Sequence, residues 1–579
     1  VEIQEELSMF FSVKSRESLV SNGLKSPASV LLVICLLAVV FGCSSYADDA
    51  FLVDVRNGGF DQTLMYTSIQ GLANREKPVV FLRFTNLDSI WAGYYAKQYG
   101  FKFQQVTDPV VLVGKLRSDF HGYLVWDPLT MCTANVATTL SGLYDLLIVS
   151  PNYEYVALKA GLEKKFDLRG KFDGLSDEEV YRWCAQKFLG HCSRTVTGNL
   201  VLPNELDFSI LPLVERDRTV MLKFEDSKKA DGNGAKLKGV FIVTPSETLR
   251  IVPGSKKEAQ YLVGPNDSWI DKDGYRVADM NQSFTYRLSF PRPGKSLRAK
   301  IFVDNQYKLT AYSPAGGESL VMISPEIGKP VCNQIRDYLI DKKAFVMDLA
   351  SNPGERESFD LKGDILGKMK PGAMVLGWTS RNESEGRFVS LTSSKGLTVL
   401  CSQNSPNFSF HSKIKSTVKR TPLDRKEPKL EKGKVYVSFI ASDGDALHRL
   451  SDFHRSQWLL SQRGKIPMGW EMQPLLRDLA PGMLGYYLGS ASKNDDFVAS
   501  SSGIGYFYPS LMPRDQLRSI LKVTASYLES VSCATLFVAS TEPMPDSLKE
   551  LYRSVFKGKS SGCIEGYQRS EEEVKYFPD

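Results

Sequence analysis

Histidine is scarce in this 579-residue sequence, five in all, and its nine cysteines contain no CxxC pair. A structural zinc site built on paired thiolates therefore has no basis. No G-x-G-x-x-G follows the first predicted strand, which removes the dinucleotide fingerprint, and the lack of a G-x-S-x-G elbow removes the commonest serine-esterase layout. No apolar run reaches the roughly 20 residues that a membrane-spanning helix needs. An excess of one charge is missing too. The net +6 belongs to residues 412–434, where nine Lys/Arg face three Asp/Glu, and the remainder is balanced. Nucleic acid, which needs a basic face on a folded domain, is not an expected partner. With 42% hydrophobic and 24% charged residues the composition is globular, which excludes disordered and coiled-coil classes, and the length predicts several domains.

What is present begins with an apolar run at residues 30–42, preceded by Lys14, Arg16 and Lys25. It reads as the core of an export signal spanning 1–47, with a buried apolar helix as the plainer alternative. Ser45-Tyr46-Ala47 suits simple cleavage, whereas Val40-Phe41-Gly42-Cys43 is similar to a bacterial lipobox and would place a lipid anchor on Cys43. Either exit implies a periplasmic or extracellular protein with no integral span in the mature chain. Seven cysteines follow the leader. Cys184 and Cys192 are close enough for one disulfide, and buried free thiols are the alternative.

Along the mature chain the expected class is α/β and multi-domain. From Phe51, short apolar strands alternate with helical segments, predicting an N-terminal α/β sheet domain over 48–204. Near Leu206 the apolar period switches from 3.6 to 2 without helices, predicting a β-sandwich over 205–315. The run from Tyr275 to Ser313 resembles galactose-binding-like jelly rolls of carbohydrate-active proteins, and Trp269 and Tyr275 would stack on a sugar or pack at a core edge. A second small α/β unit follows over 316–411, then the basic linker 412–434, then a C-terminal unit over 435–579.

That last unit holds the densest chemistry. VYVSFIA (435–441) reads as a strand buried on both faces that delivers Ser442-Asp443-Gly444-Asp445 at its carboxyl end. Trp470 and Glu471, Asp495, and Glu542 follow at three further strand positions, and Ser502 leads into Tyr506 and Tyr508. Carboxylates and aromatics recurring at strand ends suit a sugar, whose ring faces pack on aromatics and whose glycosidic oxygen needs a proton donor.

GIGYFYP (503–509) matches the motif of the GxGYxYP putative glycoside hydrolase family, which the chain resembles over about 50–200 and 315–570. Ser442–Asp445, Gly469-Trp470, Gln70–Arg75 (QGLANR) and Asn407-Phe408-Ser409 agree with the family as well. The resemblance implies a glycoside hydrolase acting on a poly- or oligosaccharide, with catalytic candidates Asp443, Asp445, Glu471, Asp495 and Glu542. Substrate contacts would come from Trp470, Ser502, Tyr506, Tyr508, Trp269 and Tyr275, and no cofactor is implied.

Two departures stand out. Ala446 replaces a frequent asparagine, and 147 residues from Gly433 are short of the roughly 250 of a full (β/α)8 barrel, so a partial or distorted barrel is expected. A non-catalytic glycan-binding or scaffold protein is the alternative. His448 and His454 near Asp443 and Asp445 leave a metal-dependent polysaccharide deacetylase as a third reading, against a purely packing role.

Overall fold

The computed structural model describes residues 49–577 apart from 174, 203–204, 215–217, 228–233, 245–247, 265, 273, 291–296, 305–306, 318, 324–333, 380–382, 421–430, 445, 529, 541, 561 and 567–574. The leader with Cys43, residues 421–430 of the basic linker and Asp445 lie outside the described residues.

The first surprise is that the N-terminal strands form two small parallel sheets and not one. Asp49–Asp54 sits between Val80–Arg83 and Lys102–Gln105, and Gly122–Val125 sits between Leu146–Val149 and Lys164–Asp167. The helix Phe60–Ala73 explains the split. Every residue in it except Gln62 is buried, as expected of a helix enclosed on all sides. Ser68 Oγ accepts a hydrogen bond from the Ile148 amide (3.0 Å), fixing the helix against the second sheet.

A third parallel sheet has the order Phe345–Met347, Val196–Asn199, Met374–Gly377, Thr398–Cys401. Its second strand in space is its first in sequence, so the β-sandwich is an excursion between Asn199 and the helix Arg336–Asp341. The sandwich has two antiparallel sheets and continues through Ser319–Ile323, past the expected boundary. Thr219–Asp226 and Tyr307–Tyr312 alternate buried with half-buried residues, the period-2 signature of a strand with one face in the core. Phe224 and Phe284 stack at 4.8 Å inside it. Its outer face docks on the N-terminal units through Arg250, which binds Asp127 (2.9 Å) and Asp173 (3.2 Å).

The C-terminal unit is an open six-stranded sheet. Ile440–Ala441, Met468–Met472, Asp495–Ala499, Cys533–Ala539 and Gly562–Gly566 run parallel, and Lys575–Phe577 closes the series antiparallel. Among the described residues its two outermost strands do not pair. The expected strand VYVSFIA is corrected: only Ile440 and Ala441 enter the sheet, while Val435 (89% exposed) and Val437 (69%) face solvent. An apolar run fits a doubly covered strand only when neighbours flank it, and this one lies at the sheet's margin.

The two sequence signatures far apart in the chain meet in a buried polar knot. Gln70 Nε2 donates to Asn407 Oδ1 (2.6 Å), Asn74 Nδ2 to Ser409 Oγ (3.0 Å), and Asn407 Nδ2 to the Leu82 carbonyl (2.9 Å) and Asp88 Oδ1 (3.2 Å). Arg75 pairs with Asp145. QGLANR therefore ties the N-terminal helix to the central unit. Cys184 and Cys192 are buried free thiols with no disulfide between them.

Candidate functional site

The motif loop is shaped by backbone conformations that side chains resist. Gly503 and Gly505 have φ of 128° and 112°, and a Cβ on Gly503 would stand 2.5 Å from Thr524 Oγ1. Ser502 Oγ donates to the Phe507 carbonyl (2.8 Å) and accepts from the Ala539 amide (3.1 Å), stapling the loop to the end of Cys533–Ala539. So folded, the loop presents Tyr506 to Val399 in an isolated antiparallel bridge, with N···O distances of 2.7 and 2.9 Å in the two directions. Tyr506 Oη then donates to Glu385 Oε1 (2.6 Å), and the Tyr508 amide donates to Ser393 Oγ (3.0 Å). The two tyrosines grip both ends of the helix Glu385–Ser394. Burial, with the Glu385 carboxylate facing it, pushes the Tyr506 phenol far above its usual range, so it remains a donor.

Beside this helix lies a cleft of about 720 Å³ lined by Ser351, Phe359, Gly386, Arg387, Leu511 and Glu542 among others. Ser351 follows the strand Phe345–Met347, Gly386 and Arg387 follow Met374–Gly377, and Glu542 follows Cys533–Ala539. Carboxyl ends of parallel strands from two sheets thus feed one cleft, the usual place for an α/β site. Trp378, half-buried, stacks on Tyr506 at 6.4 Å, and the Ser351 amide donates to Glu383. Below the cleft Lys362 is fully buried, its Nζ donating to the Leu349 carbonyl and Ser351 Oγ, both at 2.7 Å. Burial lowers this ammonium to about 8, opposed by the facing carboxylates of Glu383 and Asp348.

Of the residues expected from the sequence, Glu542, Tyr506 and Tyr508 come together here. Glu542 is exposed at the cleft, while Tyr506 and Tyr508 are buried beneath it with their hydroxyls 3.3 Å apart. The others do not join them. Asp443 is half-exposed with φ of 68° and faces Arg449 at 3.7 Å. Glu471 is buried and accepts the Gly444 amide at 3.2 Å. A Cβ on Gly444 would lie 2.2 Å from the Glu471 carbonyl, which explains the glycine between the two aspartates.

Trp470 and Asp495, expected at a sugar, bind each other in the core: indole Nε1 donates to Asp495 Oδ1 at 3.0 Å. Arg463 (2.5 Å) and the Ser492 amide (2.7 Å) take the remaining Asp495 oxygen. A buried carboxylate needs such partners, and Asp495 is fully buried among them. Ser502 is buried within its staple. Tyr275 is buried with its hydroxyl on Asp61, at the seam between sandwich and N-terminal unit, whereas Trp269 remains 44% exposed on the sandwich edge. His454 Nε2 lies 2.7 Å from the Ser442 carbonyl, and among the described residues no three His, Cys, Asp or Glu are grouped to hold a metal.

Ser351, Lys362, Glu383, Glu385 and Trp378 were not singled out from the sequence. The signal available was positional: Ser351, Gly386 and Glu542 each follow a parallel strand and line the same cleft.

Models of one family match four stretches of the chain: the GxGYxYP_N 1st domain over 50–118, the GxGYxYP_N second domain over 120–192, the GxGYxYP third domain over 318–413, and the GxGYxYP putative glycoside hydrolase C-terminal domain over 433–576. A solved structure described as a putative hydrolase from Bacteroides thetaiotaomicron is 17% identical, covers 88% of this chain and 73% of its own, and superposes with a TM-score of 0.58. That likeness concerns the fold alone. The CBM22-1-GH10 modules of a Clostridium thermocellum xylanase, 8% identical over 59% of this chain and 67% of theirs, give a TM-score of 0.14. No curated protein matches the sequence.

Proposed function

Because this chain belongs to the GxGYxYP putative glycoside hydrolase family, we propose that it hydrolyses a glycosidic bond of a poly- or oligosaccharide in the cleft beside the helix Glu385–Ser394. The observation that carries this reading is the exposed carboxyl of Glu542 at a strand end, in a cleft also lined by Ser384 and Gly386, the two chain neighbours of Glu385. In this reading Glu542 donates a proton to the leaving oxygen. Glu385, with one oxygen fixed by Tyr506, keeps the other for activating water or attacking the anomeric carbon. A separation of about 6.5 to 9.5 Å between the two carboxyls in the substrate complex would give inversion, and about 5 to 5.5 Å retention. Phe359 and Leu511, which line the cleft, supply the apolar surface for a sugar face. Substrate of this kind fits an exported protein.

Reducing-sugar release from a polysaccharide panel tests the proposal. Turnover by the wild type that Glu542→Gln lowers at least a hundredfold, with Asp443→Asn close to wild type, supports it. Equal losses in both variants would move the chemistry to the Asp443 loop. A second reading, glycan binding without turnover, is favoured by Trp269 and Ile270, both exposed on the sandwich edge. It predicts retained polysaccharide in affinity electrophoresis, lost on Trp269→Ala, with no wild-type sugar release.

A further inference from the structure

The hydrogen bonds of Lys362 do not require its amine to be charged, although the carboxylates of Glu383 and Asp348 face it. It is fully buried on the helix Arg356–Gly367, lies over the Phe388 ring at 4.3 Å, and its two hydrogen-bond partners are neutral oxygens, the Leu349 carbonyl and Ser351 Oγ. A neutral amine serves the first of these equally well, because it still has N–H groups to donate, and it then has a lone pair for the second. Ser351 in turn lines the 720 Å³ cleft and stands at the carboxyl end of a parallel strand, with its own amide already committed to Glu383. Arg387 lines the same cleft, and its guanidinium has no hydrogen-bond or ion-pair partner among the described residues.

We propose that Ser351 and Lys362 form a serine–lysine nucleophile pair, and that the cleft removes short O-acyl groups from its ligand. The acyl chemistry goes beyond glycosidic cleavage; only the identity of the alcohol portion, a saccharide hydroxyl, rests on that reading. Ser351 Oγ attacks the ester carbonyl carbon while its proton passes to the neutral Lys362 amine. Arg387 faces the oxygen that gains negative charge. Collapse of the tetrahedral species breaks the bond to the alcohol oxygen, which leaves with the proton from Lys362. Water then repeats the sequence: its proton goes to Lys362, its oxygen joins the acyl carbon, and Ser351 Oγ departs with that proton. The products are the free alcohol and the carboxylic acid. Burial lowers Lys362 to about 8, with Glu383 and Asp348 opposing the shift, so part of the population carries the neutral amine near neutrality. The absence of a G-x-S-x-G elbow agrees with a base that is a lysine on a neighbouring helix.

The test uses the full chain, p-nitrophenyl acetate and a fluorophosphonate probe. Wild type should release p-nitrophenol with a rate that rises toward pH 8 to 9, and peptide mapping should find the phosphonyl adduct on Ser351. Ser351→Ala should lose both, and Lys362→Arg, which keeps the charge but offers no base, should slow labelling at least a hundredfold while retaining the wild-type circular dichroism. A folded wild type with neither ester turnover nor an adduct on Ser351 would overturn the proposal, as would an adduct formed at an unchanged rate in Lys362→Arg. Sugar release from a de-acylated polysaccharide reports the glycosidic reading separately, so either can fail alone.

Discussion

Tyr506 Oη donates to Glu385 Oε1 across 2.6 Å, linking the glycine-rich loop of the C-terminal unit to the first residue of a helix in another domain. The loop that carries the family's motif is thereby a clamp on one wall of the cleft. Tyr506→Phe removes the donor and leaves the carboxylate unsupported. The expected cost is about 1.5 to 3 kcal/mol, the range for hydrogen bonds to charged groups, read as a lower Tm together with reduced sugar release.

Gly503→Ala should be harsher than an ordinary surface change. Its φ of 128° is strained for any side chain, and the new methyl meets Thr524. A loss of roughly 2 kcal/mol or more is expected in urea denaturation. Thr524→Ala in the same chain should return only part of it, because the contact is relieved and the backbone strain is not.

Asn407→Ala opens the buried knot between Gln70, Leu82 and Asp88. Several polar groups would lose their partners together, at about 1 to 3 kcal/mol for each one left unsatisfied. A double-mutant cycle with Gln70→Leu should show coupling of more than about 0.5 kcal/mol. Additive effects would mean that the two signatures stand independently.

Acid should stabilise this knot. Burial pushes Asp337, which accepts the Ser409 amide (2.7 Å), up to about 7, and Asp88 up to about 6. Both lie above the value of roughly 3.9 in the unfolded chain. Their contribution is complete below about pH 4 and is lost as pH rises through 6 and 7, at about 1.4 kcal/mol per pH unit for each group. Asp337→Asn should therefore flatten the stability profile between pH 4.5 and 7, measured by urea unfolding. An unchanged slope would contradict the assignment.

The parts of the molecule that depend on local rules were readable in advance. Period-2 alternation in TVMLKFE and YKLTAYS identified the sandwich. What depended on partners distant in the chain was not readable. Trp470 and Asp495 each have the chemistry of a sugar contact, and only the fold shows that they satisfy one another. Lys362 sits in a helix whose other charges are exposed, so nothing local marks it as buried. VYVSFIA has the composition of a central strand, and composition does not say how many neighbours a strand receives.

The placement of Val196–Asn199 has a consequence for synthesis. Its two neighbours in the sheet, Phe345–Met347 and Met374–Gly377, leave the ribosome roughly 150 residues or more later, a delay on the order of ten to thirty seconds at usual translation speeds. Throughout that interval the nascent chain carries a strand with both edges open, while the sandwich has time to fold. Codon usage or chaperone supply over that window would govern the yield of native protein, and the cleft could not exist before the last of these segments had emerged.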